Sequence, residues 1–388
     1  MLTEDYFAKY EEINTRRKTM VILDVCLDNF YAFKNFHMNL TYPKKIVGST
    51  IGAEHLSGRP NFRYKKVNII MGANASGKTT FGRALMKIFN FIDKKNYSFI
   101  TDMVGDQNRE ASFVLDMASR DNIFYRISCR ISPCEGEKYS AENIHLKIQQ
   151  ENISTKDSYE SCAKRLETVQ YSPADSYIEE LEKVSALDWL FMYPDEAKTL
   201  RFHKGEHQFG VILERILKAL DPSIIEVKKS ADVENAYVIR LQDKALILQD
   251  GEKFDTSFLS SGTKAGVEIA QMVSSIKHEH CSFYYCDEKF SYIHTDLEKA
   301  ILSLMIEGLR ANDQLFFTSH NTDILDMNLP KHAFTFLCKD VTNLECPINC
   351  ISASHVLKRN TDSLKNAVEN DMFACSPAVD LIYAIGDL

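Results

Sequence analysis

No apolar run in the sequence approaches the roughly 18 residues that a membrane-spanning helix needs, so no membrane partner is expected. The opening stretch, Met1–Lys18, is polar and carries acids, without the apolar centre of a signal peptide. The ten cysteines are not paired at short spacing, which argues against a disulfide framework and for a reduced, cytoplasmic setting. Cys338, Cys346, Cys350 and His355 lie close together, but their spacing matches no zinc knuckle. Positive charge is not in excess: 46 Lys and Arg stand against 54 Asp and Glu, a net charge of −8. That balance argues against tight, nonspecific nucleic-acid binding by the whole surface and leaves a local basic patch open. No internal repeat and no low-complexity tract is present, so a repeat array is excluded.

What is present reads as an α/β fold. Met20–Leu27 and Val67–Met71 are strand-like apolar runs, and a second strand is expected near His37–Leu40. Lys44–Lys66 reads as a surface loop or hairpin. Ala111–Met117, Ile123–Ile131 and Ile144–Gln149 alternate like antiparallel strands, and Lys156–Val184 turns helical. Trp189–Tyr193 is an aromatic cluster expected to pack in a core. Gly210–Leu220 reads as a helix stopped by Asp221-Pro222, and Val227–Leu248 as a hairpin turning near Asp243. Toward the end, buried strands at Ser282–Cys286, Gln314–Thr318 and Phe334–Cys338 alternate with helices at Thr263–Lys277 and Leu297–Leu309, the signature of a parallel sheet covered on both faces. Three regions follow: 1–154 with the antiparallel strands, 155–254 as an inserted helical lobe with a hairpin, and 255–388. The inserted interval is too short for a long coiled-coil arm.

Four motifs carry chemistry. Gly72–Thr79 has the form G-x-x-x-x-G-K-T between a strand and a helix, a pattern met by chance on the order of once in a hundred chains. Its glycines let amides curl round phosphate oxygens, Lys78 reaches the β- and γ-phosphates, and Thr79 places its hydroxyl on Mg²⁺. Gly72, Asn74, Ala75, Ser76, Gly77, Lys78, Thr79 and Thr80 are the nucleotide-binding candidates. At the end of a buried strand, Asp287 is expected to hold Mg²⁺ and Glu288 to orient or deprotonate the attacking water. Ser260, Ser261 and Gly262 open a helix and form a small anion-binding nest. His320 follows the Gln314–Thr318 strand and is placed to bond a γ-phosphate. A Mg²⁺-sensing glutamine is sought before the serine motif among Gln107, Gln149 and Gln150, with Gln149 or Gln150 favoured and Gln149 assigned to the metal set.

In this order the motifs resemble the ABC-like ATPases grouped with SMC, RecF and OLD proteins. Asn29-Phe30-Tyr31-Ala32-Phe33-Lys34 is similar to their N-terminal strand motif, with Tyr31 where a basic residue is usual. Ile216–Ile224, Ser260–Lys264, Thr318–Asp326 and His294 look like the AAA-family ATPases of bacterial anti-phage defence systems; Lys289 and Phe290 depart from that group's pattern. The resemblance implies an ABC-type ATPase head using ATP and Mg²⁺, with Ser260–Gly262 capping the γ-phosphate held by another copy in a head-to-head dimer or higher homo-oligomer. Too little chain follows His320 for a TOPRIM domain, so the implied effector is a separate toxic protein, a TOPRIM-type or other nuclease, as in PARIS-type or Septu-type pairs. A phage protein or nucleic acid is the implied trigger. The competing reading is a DNA-repair or chromosome-maintenance ATPase that clamps DNA.

Overall fold

The computed structural model describes residues 20–134, 136, 138–185, 187–194, 208–250, 259–278, 280–359, 362–375 and 380–387. The polar opening stretch expected at Met1–Lys18 lies outside them, as do parts of the expected lobe, 195–207 and 251–254. Along the chain, β1 (Met20–Asp28) and β2 (Phe36–Asn39) precede a short hairpin, β3 (His55–Leu56) and β4 (Arg59–Arg63). β5 (Val67–Met71) runs through the P-loop into α1 (Lys78–Lys94). β6 (Ala111–Ser119), β7 (Ile123–Ile131) and β8 (Ile144–Asn152) form a long meander. The stretch expected to be helical throughout Lys156–Val184 holds only α2 (Tyr159–Glu167) and α3 (Tyr177–Leu181), and β9 (Trp189–Met192) follows. Next come α4 (Phe209–Leu220), β10 (Ile224–Lys229), β11 (Ala236–Leu241) and β12 (Ala245–Gln249), a three-stranded sheet where a hairpin was expected. The chain closes with α5 (Ser261–Lys277), β13 (Phe283–Asp287), α6 (Thr295–Gly308), β14 (Gln314–Thr318), β15 (Phe334–Lys339) and β16 (Ile348–Ser352), with short helical turns beyond.

Two sheets sandwich α1. One is antiparallel, in the order β2-β1-β6-β7-β8. The other runs β16-β15-β5-β14-β13-β9; all its pairs are parallel except β15 with β16. β9, from the interval expected as an inserted lobe, therefore forms one edge of this sheet beside β13, and β16 forms the other. α1 buries Phe81, Leu85, Ile88 and Phe89 in one apolar cluster with Val25, Leu27 and Leu115 on one side and Phe283, Tyr285 and Phe316 on the other. Period-two alternation sends Tyr284, Cys286, Leu315 and Phe317 to the opposite face, where they meet α4, α5 and α6. That is why β13 and β14 read as unbroken apolar runs: both of their faces are covered.

Buried side chains tie the sheets together: the Ser282 hydroxyl accepts from the Met20 amide at 3.2 Å, and Gln314 makes three further bonds. The Gln314 amide accepts from the Ile22 amide at 2.9 Å and donates to the carbonyls of Ile22 and Lys65, each at 3.0 Å. It fills the β1 irregularity between Ile22 and Asp24, where the ladder to β6 leaves backbone groups to satisfy. Among the described residues no helix is long and apolar enough to cross a membrane.

Candidate nucleotide site

β5 is buried along its whole length, between β14 and β15, and delivers the P-loop at the carboxyl end of the parallel strands. Two backbone positions shape that loop. Gly72 has φ 154°, and a Cβ there would stand 2.3 Å from the Leu337 carbonyl oxygen and 2.7 Å from Ser76 Oγ. Gly77, with φ 104°, caps α1 and turns the chain into the helix. No carboxylate occupies the first turn of α1, so its positive end faces the loop. Phe33 supports the turn from below, in contact range of Gly77 and edge-on to Phe81. The aromatic motif after β1 thus acts here by packing; Asn29 meanwhile holds the 106–110 loop through both ends of its amide.

The P-loop lysine and both carboxylates meet. Lys78 is 4% exposed; its ammonium donates to the carbonyls of Gly72 at 2.8 Å and Ala73 at 3.2 Å and lies 3.0 Å from Glu288 Oε1. Asp287 is fully buried. Its Oδ1 accepts from the Thr318 hydroxyl at 2.6 Å, and the Thr79 hydroxyl lies near the same carboxylate. Burial pushes the Asp287 carboxyl up, and the Thr318 and Thr79 hydroxyls oppose the shift. Glu288 takes φ 41°, unusual for a residue with a Cβ, and is held there by its amide bonding both the hydroxyl (2.9 Å) and the carbonyl (3.2 Å) of Thr318. That turn aims the Glu288 side chain back at Lys78. Tyr285 completes the frame: its hydroxyl donates to the Lys78 carbonyl at 2.8 Å, and its ring sits where a Cβ on Gly82 would be.

Two buried polar atoms have no hydrogen-bond partner among the described residues at this place: Asp287 Oδ2 and Ser76 Oγ. Buried oxygens left unpaired are costly unless a ligand or water satisfies them. With Thr79 beside Asp287, the donor set is all oxygen, the chemistry that suits Mg²⁺. The residues present therefore fit a magnesium–nucleotide phosphate.

His320 is exposed at the end of β14 and shares a pocket of about 790 Å³ with Gly72, Ala73, Asn74 and Ser76. The far wall of that pocket carries Cys338 and Cys375, which form a disulfide with their Cα atoms 5.0 Å apart, a pairing that the scatter of cysteines in sequence conceals. Among the described residues no other cysteine is in a disulfide. Ser260 and Ser261 are exposed; Ser260 Oγ accepts from the Thr263 amide at 3.1 Å and caps α5. Among the described residues the hydrogen bonds of Ser260 run to Thr263, and a Cβ on Gly262 would stand 3.0 Å from the Tyr292 carbonyl.

Gln149 is not brought to the site. It sits on β8, the far edge of the antiparallel sheet from β2, and its amide donates to the Leu166 carbonyl at 3.3 Å. β9, which ends in parallel beside β13 at Met192, is the strand that does approach from that part of the chain. Sequence reasoning also missed three partners. Thr318 organises both carboxylates; Asp221 accepts from the Thr263 hydroxyl at 3.4 Å; and Lys289, buried, pairs with Glu268 of α5 at 2.8 Å and donates to the Tyr193 carbonyl at 2.9 Å. Lys289 and Phe290 both face inward, and Phe290 packs tilted against Phe317 in the core. Only the Asp221-Pro222 helix stop gave a sequence signal, and it spoke of a boundary.

No family model and no curated protein matches the sequence. Among solved structures, the chain is similar to an SMC head bound to the C-winged helix domain of ScpA, at 12% identity and a TM-score of 0.48, over 87% of this chain and 99% of that one. It is similar to the SMC head domain from Thermotoga maritima at 14% identity and a TM-score of 0.44, over 85% and 98%. A third similar structure is the recombination mediator protein RecF in its ATPrS form, at 10% identity and a TM-score of 0.40, over 83% and 96%.

Proposed function

We propose that this chain is a magnesium-dependent ATPase of ABC type that works as a face-to-face pair, and that its nucleotide state holds or releases a separate toxic effector, a nuclease, in anti-phage defence. One observation carries the ATPase reading: Lys78, Thr79, Asp287 and Glu288 converge on the P-loop, while Ser260–Gly262 is exposed and turned to other contacts. Mg·ATP supplies the phosphate charge and the bond to be broken. Lys78 and the P-loop amides hold phosphate oxygens, and Thr79 with Asp287 holds the metal. Glu288 orients the water and accepts its proton. Ser260 and the Gly262 amide of a second copy would close over the γ-phosphate, and His320, which lines the same pocket as the P-loop of its own chain, would bond it. The effector half rests on the resemblance to defence ATPases.

The test is complementation. Lys78→Ala and Ser260→Arg chains, each alone, should have almost no ATPase activity. Mixed, they form pairs in which the intact Lys78 of one faces the intact serine motif of the other, and activity should return. A Ser260→Arg chain with full activity on its own would sink the shared site. The effector half is tested by expression from the native gene neighbourhood, where a nuclease should co-purify in a manner that Lys78→Ala abolishes. Salt-sensitive, ATP-stimulated binding of duplex DNA with no such partner would favour the DNA-clamp reading instead.

A further inference from the structure

The outward face of β1 and β2 is polar where the inward face is packed. Strand alternation places Asp24 and Cys26 together on β1, and the register sets His37 opposite Cys26 and Asn39 opposite Asp24. His37 Nε2 lies 2.8 and 3.0 Å from the two Asp24 oxygens, and Cys26 Sγ lies 3.7 Å from Asp24 Oδ1. One donor atom from each of the three falls within 4.8 Å of the others, and among the described residues no other set of three His, Cys, Asp or Glu is so gathered. We propose that Asp24, Cys26 and His37 form a Zn²⁺ site, three protein ligands with water in the fourth position.

The geometry and the donor types both support this. Tetrahedral zinc, with bonds of about 2.0–2.3 Å to oxygen, nitrogen and sulfur, sets neighbouring ligand atoms roughly 3.3–3.7 Å apart. The Cys26–Asp24 separation of 3.7 Å falls in that range, the His37–Asp24 separations of 2.8 and 3.0 Å are shorter by about 0.3–0.5 Å, and all three donor atoms lie within 4.8 Å of one another, so small side-chain shifts bring them onto one ion. A thiolate, an imidazole and a single carboxylate suit zinc and not Mg²⁺ or Ca²⁺. A plain surface ion pair between His37 and Asp24 explains less. Asp24 is only 8% exposed, and the Asn39 amide donates to its Oδ2 at 2.7 Å, fixing the carboxylate as a supporting residue fixes a ligand. Cys26 packs into none of the apolar clusters. The half of the His37 side chain that remains exposed leaves a path for the ion. A metal here pins the two strands whose connecting loop carries Phe33 under Gly77, so it stiffens the support of the P-loop from outside the nucleotide site.

The test uses the full chain, stripped with chelator in a phosphine reductant and titrated with Co²⁺. The expected result is a tetrahedral visible spectrum with a thiolate-to-cobalt charge-transfer band, abolished by Zn²⁺ and absent in Cys26→Ser. Asn39→Ala should keep the band and weaken the affinity about 10–100-fold. Identical spectra for the wild type and Cys26→Ser overturn the site, as does a six-coordinate spectrum without the band. If Cys26→Ser fails to fold, X-ray absorption of zinc on the wild-type protein decides: a first shell with one sulfur supports the site, and a shell without sulfur overturns it.

Discussion

The ammonium of Lys78 and the carboxylate of Glu288 form an ion pair, Nζ to Oε1 3.0 Å, with the lysine side chain 4% exposed. The group proposed to hold the phosphates and the group proposed to activate water are thus paired with each other. Lys78 also spends its remaining protons on the Gly72 and Ala73 carbonyls. Breaking a buried pair is unfavourable unless a new partner replaces the old one. Phosphate oxygens can take the place of Glu288 at Lys78, which then releases Glu288 toward water. On the proposed function, nucleotide binding and release of the base would be one event.

Glu288→Gln should therefore do two things at once. It should lower turnover by about 10²–10⁴-fold, the usual contribution of a positioned base. It should also raise ATP affinity, because an amide competes less well for Lys78. The expected outcome is a long-lived ATP-bound pair of chains, read by light scattering with and without ATP. Wild-type turnover in this variant would falsify the role given to Glu288.

Gly72→Ala should abolish nucleotide binding with the fold retained. The new methyl meets the Leu337 carbonyl at 2.3 Å, backbone that cannot swing away, and the residue must hold φ 154° besides. Strained backbone of this kind costs about 1–3 kcal/mol, read as a lower melting temperature. Gly52→Ala is the control: its Cβ would meet nothing within 4 Å, and both nucleotide binding and melting should stay unchanged.

Lys289 and Glu268 connect the serine-motif helix to the end of β13, 2.8 Å apart with both side chains largely out of water. Lys289→Met alone leaves Glu268 buried without its cation and should destabilise by about 3–5 kcal/mol. Lys289→Met with Glu268→Met removes both charges and should recover most of that loss. Denaturant midpoints of the two singles and the double give the coupling. If the double variant is no more stable than Lys289→Met, the pair is not the connection.

What could be read from the sequence was what is contiguous in the chain. The P-loop and Asp287-Glu288 each lie on one strand end, so their local pattern contains the whole signal. Where the deciding partner lies far along the chain, the reading failed. Trp189–Met192 is an edge strand of the parallel sheet because Phe283–Cys286 pairs with it, and nothing near Trp189 says so. Gln149 lies in the last strand of the meander, and the sheet order carries β8 away from β2 and the loop beneath Gly77. Lys65 and Lys66 stand in a polar stretch that looked exposed, and both are buried.

Those lysines give a test at alkaline pH. The ammonium of Lys65 has one side-chain hydroxyl, Ser352 Oγ at 3.2 Å, and is otherwise enclosed. Burial holds its pKa below the ordinary 10.5, and proximity to Cys350 opposes the shift. Below its folded value the lysine is protonated in both states, and the burial penalty is fully present. Between the folded value and 10.5 the unfolded chain binds more protons, so stability rises with pH; above 10.5 the rise ends. Lys65→Met removes the charge and keeps most of the volume. It should stabilise by about 1–4 kcal/mol at neutral pH, the range found when buried ionic groups give way to apolar ones. Its advantage over the wild type should shrink as the pH climbs, because the wild-type lysine sheds its proton. Denaturant unfolding of both proteins at neutral and at alkaline pH measures this difference directly, and tyrosine titration, common to both, cancels. An advantage that does not change with pH would mean that Lys65 is not held below its ordinary value.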